Sequence, residues 1–183
     1  PNGGVIGNVF ADNDFGQDTL YNIPIATPSL VNIAVLDDDG ITGLTINDPS
    51  NSYVGMFGNL NGTNSVQILN LGLVNVNIIG GNVVGSLVGD NINATIANCY
   101  TTGSVSSSTT QSSFVGGLVG RNHYNGNIIN CYTTCNVSAN TTSISTTGGF
   151  TANNRGFISK SYATGTVNSS SISSESGGFI GYS

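Results

Sequence analysis

The chain of 183 residues carries nine Asp and Glu against three Lys and Arg, a formal net charge of −6. Three cations cannot make the basic patch that nucleic acid requires, and no run of 18 apolar residues is present to span a membrane. Charged residues are 7% and hydrophobic ones 38%, which suits one elongated folded domain with a neutral polar skin rather than a disordered chain.

Residues 2–10 (NGGVIGNVF) hold a Gly-Gly-apolar-apolar-Gly pattern and read as a degenerate first coil. Residues 11–28 are irregular, with Asp12, Asp14, Asp18, Pro24 and Pro28. Residues 29–36 (SLVNIAVL) predict a strand, 37–40 (DDDG) a turn, 41–46 a second strand and 47–51 a second turn. Residues 1–51 thus form an irregular N-terminal coil or coils with an insertion, and residues 52–183 a regular repeat. The opening Pro1 and the repeat-like text at both ends suggest a trimmed precursor or part of a longer protein.

Residues 116–137 (GGLVGRNHYNGNIINCYTTCNV) define that repeat. Residues 85–105 (GSLVGDNINATIANCYTTGSV) and 148–167 (GGFTANNRGFISKSYATGTV) are versions of it, 54–78 is a looser copy, and 177–181 (GGFIG) opens another. Aligned on Gly58, Gly89, Gly120, Ala152 and Gly181, the copies step by 31, 31, 32 and 29 residues. A fixed period of this size marks stacked repeats. Helix formers are scarce, and apolar runs of three to five residues are broken by Gly or Asn, so the units are short strands. The expected fold is all-β, a parallel β-solenoid of about 31 residues and roughly three strands per coil.

The columns say which residues face inward. Met56, Leu87, Leu118, Phe150 and Phe179 form one large apolar column, and Ile68, Ile96, Ile128 and Ile158 another. Leu71, Cys99, Cys131 and Ser161 form a small column, and Val105, Val137 and Val167 a fourth. Asn70, Asn98 and Asn130 line up at a bend where amides can bond along the axis, with Lys160 breaking the series. Tyr100, Tyr132 and Tyr162 make a packing stripe. The glycines before Leu118 serve either positive φ or close coil approach. Thr151 and Ala152 replace the usual Val-Gly, so that corner is expected to be distorted.

GGLVG followed by NCYTTGSV resembles the GLUG motif, named for its Gly-Leu-any-Gly core, and residues 70–78 (NLGLVNVNI) look like the stretch that often precedes it. The resemblance covers residues 54–183. It implies an extracellular repeat region, because such repeats occur in large secreted or surface-attached proteins. Many of these are adhesin-like, and some carry protease domains.

Few residues offer chemistry. His123, the one histidine, reads as an exposed turn residue. Asp37, Asp38, Asp39 and Asp48 read as a solvated acidic turn, with Asp37, Asp39 and Asp48 the weak candidates for Ca²⁺. Cys99 and Cys131 could bridge adjacent coils, but free buried thiols are favoured; Cys135, where other copies have Gly103 and Gly165, has no account. No cofactor is expected. The Ser/Thr-rich segments 106–113, 139–147 and 168–176 read as loops protruding along one edge, and their Asn140 and Asn168 are the best of five sequons for glycosylation.

A structural role follows: a non-catalytic protein of an extracellular surface layer, fibre or sheath, or an adhesin repeat region. The alternative is a carbohydrate-active β-helix enzyme or carbohydrate-binding module. A β-helix hydrolase needs paired carboxylates, yet beyond Val54 the only acids are Asp90 and Glu175. A Thr array at Thr101, Thr102, Thr133 and Thr134 is a narrower option for ice or carbohydrate. Partners are the chain itself, head-to-tail or lateral, neighbouring repeats of a longer chain, or surface glycans. Gly3–Gly7 and Gly177–Gly181 present similar corners, so Phe179 and Ile180 are the expected assembly edge.

Overall fold

The computed structural model describes the backbone of residues 31–32 and 35–37, and residues 40–61 and 66–183 in full. The corner at Gly3–Gly7, Asp38, Asp39 and the side chain of Asp37 lie outside the described residues.

No helix occurs among the described residues, and strands stack in parallel into a solenoid. One turn visits four ladders. The first is a ten-stranded sheet that includes Thr45–Asp48, Gly72–Gly80, Tyr100–Thr109, Asn136–Thr141 and Val167–Ser169. The second holds Tyr53–Val54, Val83–Gly85, Ser113–Gly116, Ile144–Gly148 and Ser173–Gly177. The third holds Phe57–Leu60, Val88–Asn91, Val119–Asn122, Thr151–Asn154 and Ile180–Tyr182. The fourth holds Gln67–Leu69, Thr95–Ala97, Asn127–Ile129 and Phe157–Ser159. Val88 pairs with Phe57 on one side and Val119 on the other, one repeat away each time.

The coil therefore has four strands rather than three, because the Ser/Thr-rich segments are strands and not protruding loops. Their side chains alternate, with Ala139 and Thr141 buried and Asn140 exposed. Their hydroxyls bond the coil above: Thr141 Oγ1 donates to Gln111 O at 2.6 Å, and Ser112 and Ser143 meet at 3.2 Å. A Ser or Thr so bonded loses little on leaving water, so these segments join the ladder.

Parallel stacking reaches back to Ile41, which pairs with Leu73, and Ile46, which pairs with Ile78. Two antiparallel pairings precede it, Val35–Asp37 against Gly40–Thr42 and Val31–Asn32 against Thr45–Ile46.

The core is the set of inward columns. Leu87, Leu118 and Phe150 are fully buried, as are Ile96 and Ile128. Ile68 is buried, while Met56, Ile158 and Phe179 are partly buried and packed against this core. Each full burial of this kind stabilises by about 1.5–3 kcal/mol.

Bends are held by amides. Asn70, Asn98 and Asn130 adopt φ of 56°, 55° and 53°, a left-handed conformation that Asn tolerates better than most residues. Asn130 Nδ2 donates to Asn98 Oδ1 at 2.8 Å, and Asn98 Nδ2 to Asn70 Oδ1 at 3.0 Å. Lys160 keeps the bend at φ 50° without an amide to extend the ladder. A second ladder escaped the sequence reading: Asn91 Nδ2 donates to Asn122 Oδ1 and Asn122 Nδ2 to Asn154 Oδ1, both at 2.9 Å, with Asn91 and Asn122 fully buried. Beside the first ladder, the rings of Tyr100, Tyr132 and Tyr162 stack at 5.1 and 5.0 Å.

The glycines before Leu118 serve close approach. Gly85, Gly116 and Gly148 have no positive φ, and a Cβ on Gly116 would run into the Val119 carbonyl. The corner at Thr151 and Ala152 is not distorted. Thr151 pairs in register with Val119 and Ile180, and the Ala152 methyl is fully buried.

Candidate functional site

The third ladder holds the ion pair of Asp90 and Arg121. Its in-register neighbours Asn59, Asp90 and Arg121 lie side by side on three successive coils. The turn after Asn122 brings His123 back over the same spot, its N–H bonded to Asn91 O at 2.9 Å.

Asp90 is 2% exposed. Arg121 donates to both its oxygens, Nε to Oδ1 at 3.2 Å and Nη2 to Oδ2 at 3.0 Å. His123 Nε2 lies 3.0 Å from Oδ1, and Asn59 Nδ2 donates to Oδ2 at 3.4 Å. The Arg121 guanidinium lies over the rings of Tyr53 at 5.6 Å and Phe114 at 5.5 Å. With His123 neutral, the carboxylate and guanidinium cancel, which is the condition for holding a buried charge.

An Asp–His pair is half of a general-base arrangement. Here the carboxylate is already bound by the arginine, and its ladder neighbours are Asn59 and Arg121, not a second acid. Glu175, exposed, sits in the second ladder opposite Thr146. The cluster ties three coils together, and that is what its geometry does best.

His123 is thus not a free turn residue. It is paired with Asp90, with 34% of its side chain exposed. The sequence signal was present: Asp90 and Arg121 are opposite charges one repeat step apart. Asp48 is 4% exposed and accepts a bond from Ser50 Oγ at 2.8 Å. Among the described residues, no group of three or more His, Cys, Asp or Glu could hold a metal ion.

Thr101 and Thr133 are fully buried and bonded to each other at 2.9 Å, so of the Thr array only Thr134, exposed, and Thr102, half-buried, face solvent. Asn140 and Asn168 are exposed, on strands. Phe179 stacks on Phe150 at 4.8 Å, and Ile180 pairs with Thr151.

Cys99, Cys131 and Cys135 are free and buried. The small column has a reason. Cys99 N donates to Cys131 Sγ at 3.4 Å and Cys131 N to Ser161 Oγ at 3.2 Å, so Cys131 and Ser161 each accept the N–H of the coil above. Cys135 also has an account: its Sγ turns inward to Thr101 Oγ1 at 3.6 Å, and burial pushes its thiol pKa up.

No described helix is long and apolar enough to cross a membrane. A comparison with curated proteins returns no match. Among solved structures, the chain is similar to a crystal structure of a Bacteroides ovatus protein that carries the provisional name immunoglobulin A1 protease. Identity is 22% and the TM-score 0.52, over 79% of this chain and 54% of that one. The likeness is one of fold, and the chain spans about half of that structure's length. The model of the GLUG motif matches residues 112–141, which are a strand of the second ladder, the Leu118 corner, the Cys131 column and the strand that follows. The chain therefore carries the GLUG motif on a β-solenoid.

Proposed function

We propose that this chain is a non-catalytic structural repeat region of an extracellular surface layer, fibre, sheath or adhesin. One observation carries the reading: its buried polar groups bond from coil to coil, as in the Asn91–Asn122–Asn154 ladder and the Asp90–Arg121 pair. Such groups hold a rod together and leave little for chemistry.

The same stacking supports assembly. The coil ending in Ile180–Tyr182 is paired on one side, through Thr151 and Asn153. Its other side offers strand N–H and C=O groups beside the half-buried Phe179 and Ile180, a template for a further coil. That coil belongs to a longer chain or to a second copy bound head-to-tail. Negative-stain microscopy and light scattering across a concentration series test this. Filaments lost in Phe179→Lys or Ile180→Pro, with the central coils still folded, would support the reading. A wild type that stays monomeric, or filaments that persist in both variants, would remove the self-assembly part.

A second reading, hydrolysis, draws on the Asp90–His123 contact and on the protease name of the similar structure. Proteolysis or glycan cleavage by the wild type that His123→Ala abolishes would favour it over the structural role.

A further inference from the structure

We infer that Cys99 and Cys131 form a modification site, a thiol pair that a small-molecule disulfide converts into a covalent clip between two coils. The residues that follow them, Tyr100 and Tyr132, are ladder partners, and Tyr132 N donates to Cys99 O at 3.1 Å. Neighbouring strands lie about 4.8 Å apart, inside the Cα separation that a disulfide spans. Cys131 Sγ lies 3.4 Å from the backbone N of Cys99, so the second sulfur sits under the first residue.

Each thiol also donates to the carbonyl two residues before it, Cys99 Sγ to Ala97 O at 3.2 Å and Cys131 Sγ to Ile129 O at 3.3 Å. Stacking gives each of these thiols the other as its neighbour across one coil step, and either can attack first, since the exchange precedes burial. Cys135 has no such neighbour. The register sets it opposite Gly103 on one side and Gly165 on the other.

The chemistry balances as ordinary exchange. With Cys131 first, its thiolate attacks one sulfur of the reagent, releases one thiol and leaves a mixed disulfide. Cys99 loses its proton, attacks the Cys131 sulfur and releases the second thiol. Two protein S–H bonds are replaced by one S–S bond, and the two electrons reduce the reagent's disulfide to two thiols. Both side chains are 1% exposed in the closed stack, so the exchange takes place while these coils are still closing during folding.

The test is to refold the reduced, denatured full chain in oxidised and reduced glutathione, with a parallel sample in reductant alone. Free thiols are then blocked under denaturing conditions. Cleavage after tyrosine, which separates Cys131 from Cys135 at Tyr132, allows mass mapping. The expected result is a Cys99–Cys131 linked peptide in the glutathione sample, with Cys135 blocked. Three blocked thiols in that sample, or a link through Cys135, would overturn the inference. Cys131→Ser retains a side-chain acceptor like Ser161 and should give no linked peptide. A Cys99–Cys135 link at wild-type yield in that variant would overturn it as well, since stacking would then not decide pairing. The wild-type map decides the matter if the variant fails to fold.

Discussion

The coil that contains Leu118 and the coil that contains Phe179 are built from the same columns, yet they are not equally protected. Leu118 and Phe150 are fully buried, whereas Phe179 is only partly so. Val105 and Val137 are buried, while Val167, two coils below Val105, is intermediate. Tyr132 has a ring on each face, but Tyr162 has one ring and is 52% exposed. Residue type and position in the repeat barely differ; what differs is a coil on the far side. Burial in a solenoid belongs to the stack and not to the residue, because each repeat contacts its neighbours alone.

The largest expected effect tests that contrast directly. Phe150→Ala should cost about 3–5 kcal/mol in chemical denaturation, and Phe179→Ala, measured where the protein is monomeric, less than half as much. Equal losses would mean that the outer coil is as well packed as the inner ones.

Next is the cross-coil clamp, which the outer coil lacks. Arg121→Ala should destabilise by about 3 kcal/mol, because it strands a buried carboxylate. Adding Asp90→Asn to Arg121→Ala should recover part of the loss, since no charge then remains to be buried. A double variant no more stable than the single one would show that Arg121 acts through packing on Tyr53 and Phe114.

The smallest effect concerns Cys135, buried in the inner stack. Its folded pKa is raised above the ordinary 9.0, so the unfolded state loses its proton first as pH rises. This contribution is complete below the unfolded pKa and is lost as pH rises through the folded one. Reduced wild type should lose stability between pH 8 and 10 more steeply than Cys135→Ala, read as the difference of their melting midpoints. Parallel curves would rule out a titrating buried thiol.

Much of the fold was legible because a solenoid converts sequence separation into contact. Residues one period apart become ladder neighbours, so the Leu118 and Ile128 columns, the Asn98 ladder and the Tyr stack could be read from spacing alone. The Asp90–Arg121 pair obeyed the same rule but was obscured, because its two members differ in type while columns are found by likeness. The Ser/Thr strands were misread as loops, since hydroxyl-rich composition marks turns as readily as bonded ladders.

Sequence by itself determined the period, the parallel stacking and the inward apolar columns, since these depend on contacts at one fixed separation. Tertiary structure decided what meets across different ladders. It set Tyr53 beside Arg121, 68 residues away, turned Thr101 and Cys135 inward, and folded His123 back onto Asp90. Those contacts depend on how each turn closes, and a repeat period carries no information about the angle of a turn.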